Sequence, residues 1–154
     1  MSRKREILIF LVMAITCFIF FRSLKDAEAS TKESAKIVEA ISKIVKSVYS
    51  KAPESFSDMI TNVVRKAAHV IEYMIQSCAL CAMFNTFGGK IKKHIPWILF
   101  LGLFTACFDE ALQLSMKGRG SLVSDIFIDF SGTLFGILIC IAVEALIGRM
   151  QRKK

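Results

Sequence analysis

Four long apolar stretches, joined by segments that carry most of the charge, dominate this chain of 154 residues. Hydrophobic residues make up 54% of the sequence, more than an ordinary soluble domain contains. Helices formed by stretches of this length match the thickness of a bilayer. The sequence therefore predicts an all-α integral membrane bundle with four transmembrane helices. The predicted spans are residues 7–24, 67–87, 95–115 and 122–147.

The first stretch has two interpretations. A basic start followed by an apolar run is also the layout of a signal peptide, and Ala27-Glu28-Ala29 resembles a cleavage site. We predict a retained helix, because the run reaches Leu24 if the long Arg22 side chain extends to the membrane interface. The whole chain is then one membrane domain.

The formal net charge of +8 is concentrated in short segments at the ends of the predicted spans. Four spans place three of these segments on one side of the membrane, and the positive-inside rule assigns that side to the cytoplasm. We therefore predict a multi-pass protein with both termini in the cytoplasm. No basic groove interleaved with aromatic residues accompanies the charge, so we expect no nucleic-acid partner. The basic segments are 3–5, 90–93 and 149–154.

Segment 25–66 is predicted to lie on the extracytoplasmic side. Apolar residues recur in it at helical spacing, with Glu39, Lys43 and Lys46 on the opposite face. This pattern predicts an extracytoplasmic amphipathic helix that lies on the outer leaflet or over the bundle. A plain linker helix remains the alternative. The apolar stripe consists of Ile37, Val38, Ile41, Ile44, Val45 and Val48.

Polar residues in the last three spans fall on one face of each helix, in steps of three or four residues. An ionisable group near the bilayer centre costs at least ~2.5 kcal/mol, so such groups need partners or a wet cavity. All three faces fall in the predicted outer half of the membrane, and glycines on the fourth span would let a neighbouring helix approach closely. We predict one polar pocket that opens toward the outer leaflet. The faces consist of Arg65, His69, Glu72 and Gln76; of Thr105, Asp109 and Gln113, with Glu110 nearby; and of Asp125, Asp129, Gly132 and Gly136.

Short motifs carry these polar residues. They read Arg65-Lys66-x-x-His69-x-x-Glu72-Tyr73, Asp109-Glu110-x-x-Gln113, Arg119, and Ser124-Asp125-x-x-x-Asp129-x-x-Gly132-x-x-x-Gly136. As a set, over about residues 65–136, they resemble the VanZ-like membrane proteins. One departure is Asp129, where that family often has Asn, and the extra carboxylate would change the charge balance or permit ion binding. The resemblance implies a bacterial cell-membrane protein associated with resistance to glycopeptide antibiotics, teicoplanin more than vancomycin.

The pocket is predicted to hold a lipid-linked cell-wall precursor or the lipophilic glycopeptide itself, beside ordinary membrane lipids, and so to contribute to teicoplanin-type resistance. Arginine and lysine at its rim suit a lipid phosphate or a carboxylate. No cofactor and no metal is predicted, because the chain has no complete catalytic or metal-ligand motif. The expected ligand-binding residues are Arg65, Lys66, His69, Glu72, Tyr73, Asp109, Glu110, Gln113, Arg119, Ser124, Asp125 and Asp129.

Three alternatives remain open. An intramembrane enzyme would pair His69 with Glu72 for acid–base chemistry on a lipid-linked substrate. The carboxylates of Asp109, Glu110 and Asp125 would assist as acids and bases or hold a divalent cation. The polar groups could instead form a network that only holds the bundle together. Transport is the third alternative, although four short spans give little material for alternating access. The sequence does not report the oligomeric state.

Overall fold

Four long helices make up most of the part of the protein that the structure describes. The computed structural model describes residues 2–24, 35, 38–40, 55–116 and 123–152. Its helices are α1 (Arg3–Ser23), α2 (Ser55–Asn85), α3 (Ile91–Gln113) and α4 (Val123–Gln151), and no strand occurs among the described residues. Each of the four helices contains a stretch long and apolar enough to cross a membrane. The predicted all-α membrane bundle with four spans is confirmed.

Three helices begin earlier than their predicted spans, and α1 does so by four residues, at Arg3. α2 starts at Ser55, because a helix can continue past the membrane boundary through its own backbone hydrogen bonds. α3 starts at Ile91, so Pro96 lies inside the helix, whereas a span beginning at residue 95 would place it in the first turn. Pro96 has no N–H for the carbonyl of Lys92, but Lys92 is exposed at the helix end, where water can bind that carbonyl.

The predicted amphipathic helix between residues 37 and 48 lies almost wholly outside the described residues. Residues 38–40 are described and are helical. The loop that contains Arg119, between α3 and α4, also lies outside the described residues. The prediction for both segments therefore stays a prediction.

Two glycines let α4 pack against the backbone of α2, as their spacing predicts. A β-carbon at Gly132 would collide with the carbonyl oxygen of Val70. A β-carbon at Gly136 would lie 2.6 Å from the carbonyl oxygen of Met74, closer than real β-carbons come. Only glycine permits this approach at both positions. Asp129 precedes Gly132 by three residues, so the close packing also holds Asp129 beside α2.

A tight turn joins α2 to α3 at one end of the bundle. Gly88 and Gly89 have φ angles of +83° and +93°, a backbone conformation that residues with side chains rarely adopt. The start of α1 lies at the same end, because Arg5 Nη2 donates a hydrogen bond of 2.7 Å to the carbonyl oxygen of Thr86. The end of α1, the end of α3 and the start of α4 therefore lie toward the opposite end.

The interior near the α2–α3 turn is apolar, and the outer faces of the helices are apolar as well. The buried residues there are Leu80, Cys81, Ile91, Ile98 and Ile137. Large apolar side chains remain exposed on all four helices, as expected when the surrounding solvent is lipid. They include Phe10, Ile71, Phe100 and Phe127.

We expect Gly132→Ala to destabilise the bundle, because the added methyl group would collide with backbone that cannot move aside. Overpacking of this kind costs about 1–3 kcal/mol. The measurement is the midpoint of thermal unfolding in detergent, followed with a thiol-reactive dye that reports the exposure of the free cysteines. Gly148→Ala is the control, since a β-carbon at Gly148 would meet nothing within 4 Å. Equal midpoints for the two variants would contradict the prediction.

Candidate functional site

Polar side chains from all four helices meet in the half of the bundle away from the α2–α3 turn. α1 and α3 contribute residues near their ends, α4 contributes residues near its start, and α2 contributes residues from its middle. Most of these side chains are buried among the helices. We term this group the polar cluster: Arg22, Ser23, His69, Glu72, Tyr73, Asp109, Glu110, Gln113 and Asp129.

His69, Asp109 and Asp129 form the centre of the polar cluster, one from each of α2, α3 and α4. His69 Nδ1 lies 3.4 Å from Asp129 Oδ1 and 3.9 Å from Asp109 Oδ2. Asp109 is 0% exposed and Asp129 is 2% exposed. Two carboxylates therefore share one imidazole at a position that water reaches poorly.

Asp109 also connects α3 to α1. Its Oδ1 accepts a hydrogen bond from the Ser23 hydroxyl, and its Oδ2 accepts one of 3.0 Å from Gln113 Nε2. Both carboxylate oxygens of Asp109 thus have protein donors. These contacts fix the orientation of the Asp109 side chain toward His69.

Arg22 and Glu72 form an ion pair between α1 and α2. The Glu72 carboxylate is mostly buried and the Arg22 side chain is about a quarter exposed. The sequence suggested only that Arg22 reaches the membrane interface, so this partner inside the bundle was missed. The ion pair and the Ser23–Asp109 hydrogen bond together make α1 part of the site.

A second polar layer lies beneath the polar cluster, toward the α2–α3 turn. Gln76 Nε2 donates hydrogen bonds to the hydroxyl oxygens of Thr16, at 2.8 Å, and Thr105, at 3.3 Å. The Ser77 hydroxyl donates to the carbonyl oxygen of Thr133 at 2.9 Å. The side chains of this layer are uncharged, and the Gln76 and Ser77 donors have neutral partners. Gln76 Oε1 and the Thr133 hydroxyl have no hydrogen-bond partner in the described part of the chain. The layer therefore suits neutral groups better than a charged ligand.

Within the polar cluster, some buried polar atoms have no hydrogen-bond partner among the described residues, and a pair of them bears on ligand binding. They are Asp129 Oδ2 and the hydroxyl of Tyr73, whose side chain is fully buried. The Tyr73 hydroxyl interacts electrostatically with the carboxylates of Asp109 and Asp129, so it lies in the same part of the bundle. Buried polar groups nearly always have partners, and two unpaired ones in one cluster indicate a position for a ligand.

Several predicted site residues lie outside this centre. Lys66 Nζ lies 3.0 Å from Asp125 Oδ1, which joins α2 to the start of α4 above the polar cluster. The Ser124 hydroxyl lies 3.4 Å from the same Asp125 oxygen. Arg65 donates to Asn62 Oδ1 on the exposed surface of its own helix. Lys66, Ser124 and Asp125 therefore lie together where α2 meets the start of α4.

An apolar groove between α1 and α2 reaches the polar cluster from the lipid side. Its volume is about 320 Å³. The side chains that line it are Ala14, Ile15, Phe18, Ile19, Glu72 and Ile75. Glu72 is the one charged residue among the described residues of this lining, and it belongs to the polar cluster through its pair with Arg22. The groove thus offers an apolar surface that ends at a carboxylate.

The contribution of α1 is what the sequence analysis missed. Thr16 and Ser23 interrupt an otherwise apolar run and are seven residues, or two helical turns, apart. This spacing places both hydroxyls on one face, and it is the same signal that identified the polar faces of the other helices. Because this face of α1 is marked by only these two hydroxyl side chains, the polar pattern is weaker on α1 than on α2.

Four membrane-length helices around a buried polar cluster define an integral membrane protein with an intramembrane polar site. The chain belongs to the VanZ/LLP1 family, whose family model matches residues 8–146. The match includes most of α1 as well as the three helices on which the resemblance was recognised. No curated protein and no solved structure matches the chain.

We expect the Arg22–Glu72 pair to contribute coupling energy of about 0.5–3 kcal/mol, as residues in direct contact do. In the double variant that combines Arg22→Met with Glu72→Gln, the loss of unfolding free energy should be smaller than the sum of the losses in the two single variants. Titration with SDS in mixed micelles measures these free energies.

The matched control combines Glu72→Gln with Arg149→Met, because Arg149 lies in the last turn of α4, at the other end of the bundle. In this control pair, the loss of unfolding free energy in the double variant should equal the sum of the losses in the single variants. Additive losses for Arg22 and Glu72 as well would show that their contact does not stabilise the bundle.

Proposed function

We propose that this membrane protein binds a lipid-linked precursor of the cell wall and thereby contributes to teicoplanin-type glycopeptide resistance. The observation that carries the proposal is the apolar groove between α1 and α2, which ends at Glu72 of the polar cluster. A hydrocarbon chain would lie in the groove, and the polar head of the same molecule would reach the cluster. The lipid tail of teicoplanin itself is the alternative occupant of the groove.

The size and lining of the groove support this proposal. Its volume of about 320 Å³ lies at the lower end of the range of ligand sites, ~300–1,000 Å³. A mostly apolar lining with few polar groups is the usual composition of a site that binds and orients a lipid-like molecule.

The charges around the groove suit the head group of such a precursor, which carries phosphate, hydroxyl and amide groups. Arg22 and Lys66 offer N–H donors for phosphate oxygens, and the Lys66 side chain is 40% exposed. Glu72 and Asp125 offer acceptors for hydroxyl and amide groups. Because both signs of charge are present, the site fits a head group with donors and acceptors better than a simple anion.

We also propose that the polar cluster faces the outer leaflet, where cell-wall precursors are consumed, and that both chain termini are cytoplasmic. The segments that carry the basic excess support this orientation, and the Arg5–Thr86 hydrogen bond supports a common side for two of them. Fusion of a reporter that is active only in the cytoplasm to the C-terminus tests the orientation. A full-length fusion that is present in the membrane but shows no reporter activity would contradict it.

We expect Ala14→Trp to reduce resistance, because the indole group would fill the groove. The measurement is teicoplanin susceptibility of a sensitive Gram-positive host, with membrane abundance quantified in the same cells. Ala142→Trp makes the same change at an exposed position of α4 outside the groove and should leave resistance unchanged. If wild-type protein gives no protection, the resistance function is wrong.

Binding of the purified protein separates the two occupants. Detergent-solubilised wild type and Ala14→Trp are incubated with a radiolabelled lipid-linked precursor, with teicoplanin or with vancomycin. Binding of the precursor that Ala14→Trp weakens supports the proposal. Binding of teicoplanin alone would identify the antibiotic as the ligand. If none of the three compounds binds, the proposal of a ligand-binding pocket is wrong.

A second candidate function is an intramembrane enzyme that acts on the same class of substrate. It is favoured by the contacts of His69 Nδ1 with two carboxylates, an arrangement that orients an imidazole for general acid–base work. We expect His69→Gln to stop turnover of a lipid-linked precursor in proteoliposomes while precursor binding persists. Mass spectrometry of the recovered lipid is the measurement. An unchanged lipid after incubation with wild type would argue for binding alone.

A further inference from the structure

The centre of the polar cluster carries more negative charge than its partners among residues 2–24, 55–116 and 123–152 balance. Asp109 and Asp129 are both buried, and among the described residues neither forms an ion pair with a lysine or an arginine. The cations nearby are already paired, Arg22 with Glu72 and Lys66 with Asp125. In the described part of the chain, only the imidazole of His69 lies within ion-pair distance of the two carboxylates.

A buried, uncompensated carboxylate is costly in a membrane bundle. One imidazolium can balance one carboxylate, and the other needs either a proton or a second positive charge. A divalent cation that both carboxylates bind would supply this charge while His69 stays neutral and donates its nitrogen lone pair. The charge balance therefore favours a bound cation at the centre of the cluster.

The positions of the atoms suit coordination of one ion. A ligand atom of each of His69, Asp109 and Asp129 lies within 4.8 Å of the others. The Nδ1 to Oδ1 distance of 3.4 Å between His69 and Asp129 is the separation of two ligands bound at ~2.1 Å to a common metal ion. The three ligands come from three different helices, so their backbones fix the site from three sides.

Two further atoms indicate a ligand independently of this cluster geometry. Asp129 Oδ2 and the Tyr73 hydroxyl are buried without hydrogen-bond partners among the described residues. The Tyr73 hydroxyl interacts electrostatically with both aspartates and belongs to none of the three ligand side chains. A water molecule held by a metal ion would provide each of these atoms with a partner.

From these observations we propose that His69, Asp109 and Asp129 bind a divalent first-row transition-metal ion of the Mn²⁺ or Zn²⁺ class. One nitrogen and two carboxylate oxygens suit such ions, whereas Mg²⁺ and Ca²⁺ favour sites made of oxygen alone. Ser23 and Gln113 donate hydrogen bonds to Asp109 and so act as positioning residues for this ligand. Three protein ligands leave coordination positions open for water or a substrate oxygen.

The proposed metal site goes beyond lipid binding and does not depend on it. A lipid head group that reaches Glu72 through the groove would lie near the ion. The ion would still have its own ligands in the protein, so it does not need the lipid. Metal binding measured in the absence of any lipid-linked precursor therefore tests the site alone.

The test uses full-length protein in detergent, stripped with EDTA and dialysed against MnCl₂ in excess MgCl₂. We expect one tightly bound Mn²⁺ for each chain, counted by elemental analysis, and its displacement by Zn²⁺. Electron spin-echo spectroscopy of the bound Mn²⁺ should show coupling to a histidine nitrogen. That coupling should disappear in His69→Gln.

Conservative variants distinguish ligands from neighbours. Asp129→Asn and His69→Gln should each weaken Mn²⁺ binding by about tenfold or more. Asp125→Asn is the matched control, because Asp125 lies one turn away on α4 and pairs with Lys66 instead. It should bind Mn²⁺ as wild type does. An unchanged size-exclusion profile and helix content establish that each variant is folded.

Three results would overturn the proposal: substoichiometric Mn²⁺ in folded wild type, binding that Asp129→Asn and His69→Gln leave unchanged, or the absence of nitrogen coupling. Binding lost equally in Asp125→Asn would also overturn it, since the ion would then belong to the acidic surface and not to the three buried side chains.

Discussion

The close approach of α4 to α2 at Gly132 and Gly136 determines the relative positions of the buried charges. Helix backbones in contact at these glycines leave no room for side chains between them, so polar residues one turn away are pressed against the opposite helix. Asp129 precedes Gly132 by three residues and meets His69 for this reason. A larger spacing between the helices would admit lipid or water and separate the carboxylate from the imidazole.

The cost of burying charge in an apolar environment accounts for the arrangement around this contact. Each helix supplies polar groups to one side, and most find partners on another helix: Arg22 with Glu72, and Ser23 with Asp109. These partners hold the apolar helices in one register, which apolar contacts in lipid cannot do alone. The centre differs, because His69 is shared by two carboxylates. A region where two buried carboxylates share one imidazole is where a cationic ligand has most to contribute.

The spacing of residues along each helix sufficed to predict the polar faces, but not the contacts between them. His69 and Glu72 lie on one face of α2 whatever surrounds them, since the helical repeat fixes their angle. Which carboxylate would meet His69 depends on how α3 and α4 rotate against α2, and the sequence of one helix does not contain that angle. Ser23 was missed because a single hydroxyl in an apolar run is tolerated without a partner. Arg119 lies outside the described residues, so its predicted place in the pocket remains a prediction.

The part that α1 takes in the polar cluster has a consequence for biosynthesis. The chain emerges from the ribosome with Arg22 and Ser23 first, while Glu72 follows 50 residues after Arg22 and Asp109 follows 86 residues after Ser23. An early intermediate therefore holds an arginine at the edge of the hydrocarbon without its carboxylate partner, and α1 gains its full set of contacts only after α3 has entered the membrane. Docking of the first helix thus comes late in assembly, and a chain that stops before α3 leaves α1 free for recognition by membrane quality control.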